Sequence, residues 1–189
     1  MCGSGWAIRQ WLTSRRSCRT GGTPIRAGER KTGTLHYDAP YTLIIDNLLD
    51  FSHLSYVHAN TIGTPSNATT RASVEPIEGG LKITRWYLND QVQANRASIV
   101  TFTGAADRWQ IYEWHAPSFL HLYTGSAPAG TGAPEGNFVP ETMQYKHCLV
   151  QTPETEDTTF YFFSHAANFK LDDPNVIDVV FGGVHKALP

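Results

Sequence analysis

Residues 46–63, DNLLDFSHLSYVHANTIG, contain the pattern that decides the fold assignment. Asp46 is suited to cap the N-terminus of a helix over residues 47–57. Three polar residues of this helix follow one another at intervals of three and would share one face: Asn47, Asp50 and His53. We therefore predict an early helix with a polar stripe, set among shorter apolar segments.

A second histidine extends this stripe. His58 lies five residues after His53, a step that rotates by about 140° on an ideal helix. Both imidazoles can bind one metal ion only if the helix ends, bulges or tightens between them. Two neutral imidazoles and one carboxylate form the facial triad of non-haem Fe(II) oxygenases, which leaves positions open for O₂ and substrate. The alternative is that both histidines are polar caps on a buried helix.

The segments around this helix predict an antiparallel sheet. Short strands precede it, and longer ones follow: 34–37, 41–45, 71–76, 81–88, 98–103, 108–114, 119–123, 141–151 and 158–164. Gly79 and Gly80 predict a hairpin turn, and residues 125–136 a long loop. Pro174 is suited to the first turn of a last helix over residues 175–188. The predicted fold class is α+β, a curved antiparallel sheet wrapped around a helix.

Composition limits the class of protein. The chain has 189 residues, of which 41% are hydrophobic, enough for one domain with a real core. Its net charge of −2 gives no basic field for nucleic acid, and no stretch approaches the roughly 20 apolar residues of a membrane helix. Cys2, Cys18 and Cys148 form neither a CxxC pair nor an even disulfide framework. These features predict a reduced, soluble, cytoplasmic protein without nucleic-acid or membrane partners.

The first 32 residues differ from the rest. Seven basic residues face one acid there, Glu29, and apolar periodicity is poor. An organelle transit peptide and a nucleic-acid-binding arm are two interpretations. The favoured interpretation is a disordered or non-native leader before a domain at residues 33–189.

The motif Asn47-x2-Asp50-x2-His53-x4-His58 closely resembles the mononuclear-iron motif of Rieske-type aromatic ring-hydroxylating oxygenases, and within them the vanillate O-demethylase oxygenase group. Residues 152–155, TPET, and 168–173, NFKLDD, resemble later motifs of the same group. The resemblance spans roughly residues 33–188. It implies a C-terminal catalytic domain with the helix-grip, START-like fold.

The resemblance also implies roles for these residues. His53 and His58 would be iron ligands, and Asp50 would link the iron site to a Rieske cluster in a neighbouring subunit. Asn47 would lie near the iron. The family's third ligand is an aspartate that would fall beyond Pro189, which predicts a domain truncated at its C-terminal end.

The implied reaction is hydroxylation or O-demethylation of an aromatic acid with O₂. Electrons would come from NAD(P)H through a reductase and a [2Fe–2S] cluster, and the full-length family forms homotrimers. A Rieske cluster needs two cysteines and two histidines, and the sequence contains no CxH…CxxH arrangement for them. The alternative functions are a non-catalytic START-like small-molecule-binding domain and an inactive oxygenase fragment.

The remaining histidines give weaker signals. His147 lies on the strand before TPET and could face a substrate cavity. The alternative is an ordinary strand histidine beside the buried thiol of Cys148, and the two cannot act as a pair because neighbouring strand residues point to opposite faces. Four further histidines show no metal-ligand spacing to one another: His115, His121, His165 and His185.

Overall fold

The computed structural model describes residues 30–186. Its seven strands form one curved antiparallel sheet in the order β1-β7-β6-β5-β4-β3-β2. The strands are β1 (Arg30–Tyr37), β2 (Ser73–Ile77), β3 (Gly80–Asp90), β4 (Ala106–His115), β5 (Phe119–Pro128), β6 (Met143–Pro153) and β7 (Thr159–Ala167). Strands β2 to β7 pair with their sequence neighbours, and β1 adds to the free edge of β7. The predicted α+β class with a curved antiparallel sheet is confirmed.

Four α-helices and two short 3₁₀ turns complete the fold. The helices are α1 (Tyr41–Leu49), α2 (Leu54–Val57), α3 (Ser66–Thr69) and α4 (Asn175–His185), and the turns are Ala94–Arg96 and Ala133–Glu135. Buried residues of α1 and α2 pack on the concave face of the sheet: Ile45 and Leu54 form one cluster with Tyr112, Leu149 and Phe163 among others. The α4 helix packs on the same face through a second cluster.

Side chains that alternate along β6 identify the face of the sheet on which the helices pack. Met143, Tyr145, His147 and Leu149 occupy every second position and are all buried. Met143 and Tyr145 belong to the cluster beneath α4, whereas Leu149 belongs to the cluster beneath α1 and α2. A third cluster, centred on Trp109, covers part of the opposite face. His147 lies between the two helix clusters, at the point where a site can form.

The predicted strand over residues 41–45 is wrong, because these residues begin α1. Tyr41, Ile44, Ile45, Leu48 and Leu49 recur at helical spacing and pack into one cluster. The helix starts after Pro40 and ends at Leu49. The single predicted helix over 47–57, capped by Asp46, is therefore also wrong: Asp46 lies inside α1, and a break separates α1 from α2.

Two other segments differ from the prediction. Residues 98–103 form no strand, because β3 and β4 pair directly with each other and leave no place between them. The segment instead continues from the turn Ala94–Arg96, with Val100 N–H donating to the Arg96 carbonyl. The predicted loop over residues 125–136 is shorter than expected, because β5 extends to Pro128 and includes its first four residues.

The hairpin at Gly79 and Gly80 is confirmed, with Ile77 paired to Gly80 and Gly79 at a φ of 71°. Strand β1 starts at Arg30, three residues before the expected domain start at residue 33, and pairs with β7 over its whole length. The interpretation of residues 1–29 as a leader lies outside the described residues. Within residues 30–186, no helix has the length and apolar character needed to cross a bilayer.

Candidate active site

A cavity of about 110 Å³ lies between the concave face of the sheet and the helices. This is the order of size that holds one benzene ring, for which an engineered apolar cavity of about 150 Å³ suffices. Nine of the 19 residues that line it are apolar or aromatic: Leu48, Phe51, Leu54, Ile62, Tyr112, Leu122, Leu149, Tyr161 and Val184. The polar wall includes all five residues that the sequence analysis singled out: Asn47, Asp50, His53, His58 and His147.

The break between α1 and α2 brings two imidazoles together. His53 immediately precedes the single turn of α2, and His58 immediately follows it. Their ring centroids are 5.3 Å apart, with an interplanar angle of 70°. The predicted condition, a helix that does not run continuously through both histidines, is met. The structure therefore places two imidazole rings next to each other at the cavity wall.

A buried nitrogen of His53 and the lowered pKa of His58 favour metal binding. Nδ1 of His53 is buried without a hydrogen-bond partner, although buried polar atoms normally have one. Burial, and then the neighbouring His53, lower the pKa of His58, which favours the neutral form of its ring, the form that can act as a ligand. An orphaned ring nitrogen beside an imidazole of lowered pKa fits a divalent iron ion.

Asp50 lies in the break between the helices and is half exposed, with 51% of its side chain accessible. Its Oδ1 accepts hydrogen bonds from Ser52 N–H at 2.8 Å and Ser52 Oγ–H at 2.6 Å. These bonds, the side-chain one first, lower the pKa of Asp50, so it is ionised at neutral pH. Its Oδ2 lies 3.9 Å from Nδ1 of His53, which is longer than a hydrogen bond. Asn47 lies one turn earlier on α1, exposed at the edge of the cavity.

His147 faces the cavity, which is one of the two possibilities that the sequence left open, and it does so together with His165, which the sequence did not indicate as a site residue. The two are paired directly in the β6–β7 register, and their Nδ1 atoms share a hydrogen bond. Burial is the main cause that lowers the pKa of both rings, to about 4 for His165. Both rings are therefore neutral at pH 7. No local spacing could have indicated this pair, because its members are 18 residues apart.

Arg96 is the second cavity residue without a signal in the sequence. It ends the turn Ala94–Arg96 and is 5% exposed. Its Cζ lies 4.0 Å from the ring centroid of Tyr145. Burial lowers the pKa of Arg96 to about 10, so the guanidinium remains charged at neutral pH. Among the described residues that line the cavity, it is the one lysine or arginine.

His115 and His121, which show no metal-ligand spacing in the sequence, lie close together with Glu113 in the structure. Strand pairing places Glu113 opposite His121, and His115 lies two residues further along the same strand. One ligand atom from each of the three residues lies within 4.8 Å of the others. Strand alternation puts this outer-face cluster on the side of the sheet away from the cavity, because neighbouring Tyr112 and Leu122 line the cavity.

A curved antiparallel sheet that encloses a small cavity beneath helices defines a class of α+β domains that bind small molecules between sheet and helix. Within this class the assignment is specific. Residues 37–188 match the model of the vanillate O-demethylase oxygenase C-terminal domain, so the chain belongs to that family. The resemblance stated from the sequence is confirmed.

Similarity to individual proteins agrees with the family. The chain is 51% identical over 157 residues to the toluene-4-sulfonate monooxygenase system iron–sulfur subunit of Comamonas testosteroni, covering 82% of this chain and 45% of that protein. It is 30% identical over 162 residues to a vanillate O-demethylase oxygenase subunit of Pseudomonas sp., with the same coverage. The crystal structure of dicamba monooxygenase bound to 3,6-dichlorosalicylic acid superposes with a TM-score of 0.74 at 25% identity, covering 85% of this chain and 46% of that one.

These relatives are oxygenase or monooxygenase components, so the family is one of enzymes. The chain spans a little under half the length of the curated relatives that it matches, 45% in the two cases given.

Proposed function

We propose that this chain is the catalytic domain of a Rieske-type non-haem iron oxygenase that hydroxylates or O-demethylates an aromatic acid. The approach of His53 and His58 at the wall of a cavity sized for one aromatic ring is the observation that supports this most directly. Fe(II) bound by these residues would supply the activation of O₂ that no amino-acid side chain provides.

The chain's own residues would have distinct tasks. His53 and His58 would hold the metal through ring nitrogens, and the orphaned Nδ1 of His53 is available for this. The apolar wall, including Leu122 and Leu149, would exclude water and align the ring of the substrate. Asn47 would contribute a polar contact at the edge of the same cavity.

Asp50 would connect the site to an electron donor. Its carboxylate is ionised and half exposed, and it lies between the solvent and His53. A carboxylate 3.9 Å from Nδ1 of His53 adds negative charge beside the atom that would bind the metal, which favours a cation there. The donor would be a [2Fe–2S] cluster of a neighbouring subunit in a homotrimer, reduced by NAD(P)H through a reductase, and His53 would be the imidazole nearest to it.

A metal titration tests the proposal. We would titrate the chain with Fe(II) or Co(II) without oxygen, in a His121→Ala background that disrupts the outer-face cluster. Weak one-to-one binding is expected, because two imidazoles and water are weaker than a full ligand set. His53→Ala and His58→Ala should each reduce the affinity by more than about tenfold.

The controls separate the two candidate metal positions. His121→Ala by itself should leave binding at His53 and His58 unchanged. If His121→Ala abolishes all binding while His53→Ala has no effect, the metal lies on the outer face and the proposal is wrong. If aromatic acids bind but no metal does, the chain is a small-molecule-binding domain without catalysis.

A further inference from the structure

Two arginines are buried in this domain, and their surroundings differ. Arg108 donates to Thr64 Oγ1 at 2.7 Å and forms an ion pair with Asp90. Arg96 has no carboxylate partner within residues 30–186, and its Nη1 is buried without a hydrogen-bond acceptor. A buried charge is normally paired, since its removal from water is otherwise uncompensated. The arrangement around Arg96 therefore lacks an anion.

The protein supplies only partial compensation. The guanidinium stacks over the ring of Tyr145, a cation–π contact. Burial raises the pKa of Tyr145 to about 12, so the phenol is neutral and contributes no charge. His147 and His165 are neutral as well. Asp50, the carboxylate of the cavity wall, is half exposed and is held by Ser52.

The backbone fixes Arg96 in place. Asn95 N–H donates to the Thr61 carbonyl at 3.2 Å, and the Arg96 carbonyl accepts from the N–H groups of Ile99 and Val100. Helix α4 packs closely against the turn, because a Cβ added to Gly183 would lie 2.7 Å from Asn95 Nδ2. A charged group held this way pays little ordering entropy when it binds a ligand.

We propose that Arg96 is the substrate-binding residue that holds the anionic head group of an aromatic carboxylate or sulfonate. The inference rests on the proposed function, because it assumes that an aromatic ring occupies the cavity. The planar guanidinium can donate to two oxygens of either head group. Its orphaned Nη1 gains an acceptor, and the buried charge of Arg96 gains a partner of opposite sign.

Pairs of probes with equal shape and different charge test this. The full chain is titrated by calorimetry with 4-methylbenzoate against 4-methylbenzamide, and with toluene-4-sulfonate against toluene-4-sulfonamide. In each pair whose head group fits the cavity, we expect the anionic probe to bind at least about tenfold more tightly than the neutral probe of the same pair. The two pairs also show which head group the cavity accepts.

Variants assign the effect to one residue. Arg96→Met should weaken anion binding by at least about tenfold and change binding of the neutral probes by less than about threefold. Arg96→Lys keeps the charge and should retain part of the anion preference. Arg71→Gln, which removes an exposed arginine, is the matched control and should change nothing. Thermal melting verifies that each variant folds, and the comparison in the unmodified chain stands if Arg96→Met does not fold.

The outcomes separate this inference from the proposed function. If the neutral probes bind as tightly as the anions, or if Arg96→Met retains the preference, the role of Arg96 is refuted while an aromatic-binding cavity remains. If no aromatic probe binds to the unmodified chain, both the inference and the aromatic cavity of the proposed function are refuted.

Discussion

Acidification should destabilise this domain through the buried pair His147 and His165. Each imidazole lies at the boundary between the cavity and the core, and their Nδ1 atoms share one hydrogen bond. One ring donates its proton and the other accepts, so the accepting ring must be neutral and the two rings cannot both be imidazolium. The nearest charged group to oppose protonation is Arg96, which contributes to the lowered pKa of His147.

The sign and size follow from linkage. The pKa of His165 is about 4 in the folded chain against an ordinary value of 6.5. Above pH 6.5 both states are neutral and the group has no effect on stability. Between pH 6.5 and 4 the unfolded chain takes up a proton that the folded chain does not, so stability falls with falling pH. The pKa of His165 thus differs by about 2.5 between the unfolded and the folded chain. At 1.36 kcal/mol per pKa unit, full protonation of the unfolded chain lowers the free energy of unfolding by roughly 3 kcal/mol.

The measurement is the free energy of unfolding by urea at pH values from 7.5 to 4.5. Burial also lowers the pKa of His147, so we expect the unmodified chain to lose stability with falling pH, with a slope of up to about two protons per molecule from this pair. His165→Leu should reduce the slope by about one proton. His185→Leu, which replaces an exposed histidine of α4, should leave it unchanged. If the free energy of unfolding falls with pH at the same slope in the unmodified chain and in His165→Leu, the reasoning is refuted.

Two further predictions concern packing and a buried charge. Gly125→Ala should destabilise the domain by about 3 kcal/mol, because the new Cβ meets the Trp109 ring and would lie 2.5 Å from a backbone oxygen. The control Gly182→Ala places its Cβ in open space on α4 and should stabilise the domain by about 0.5–1 kcal/mol. Arg108→Gln should cost about 3 kcal/mol in urea unfolding, since it leaves Asp90 charged and only 15% exposed, and Asp90→Asn in the same chain should restore part of the loss.

The sequence predicted the sheet well, because alternation is a local property. Every second residue of β6 from Met143 to Gln151 is buried, and His147 falls in that series with Tyr145 and Leu149. Its place in the cavity could therefore be expected from the pattern alone. Residues 41–45 show the limit of the same argument. TLII reads as a short apolar strand, and the helical spacing becomes visible only when Leu48 and Leu49 are counted with it.

The rest of the site depends on pairing between distant segments. His165 reaches His147 only because β6 and β7 adopt one particular register, and a shift by one residue would turn His165 to the other face. Glu113 and His121 meet for the same reason in β4 and β5. Arg96 lies on a short turn between strands, where neither periodicity nor a motif indicates which side chain is buried.

The two charged groups of the cavity wall differ in exposure, and this difference suggests different partners. A protein surface can approach Asp50, half of which is accessible, but cannot reach the buried guanidinium of Arg96. A small molecule inside the cavity can reach Arg96 and would leave Asp50 to the solvent side. Under the two proposals above, electrons would thus arrive from the side of Asp50 and His53, and the substrate would be anchored through Arg96.

Asp50→Asn should then slow electron delivery in a complete oxygenase system without weakening anion binding, whereas Arg96→Met should weaken anion binding. If Asp50→Asn lowers anion affinity as strongly as Arg96→Met, the two charges do not act separately and this division of roles is wrong.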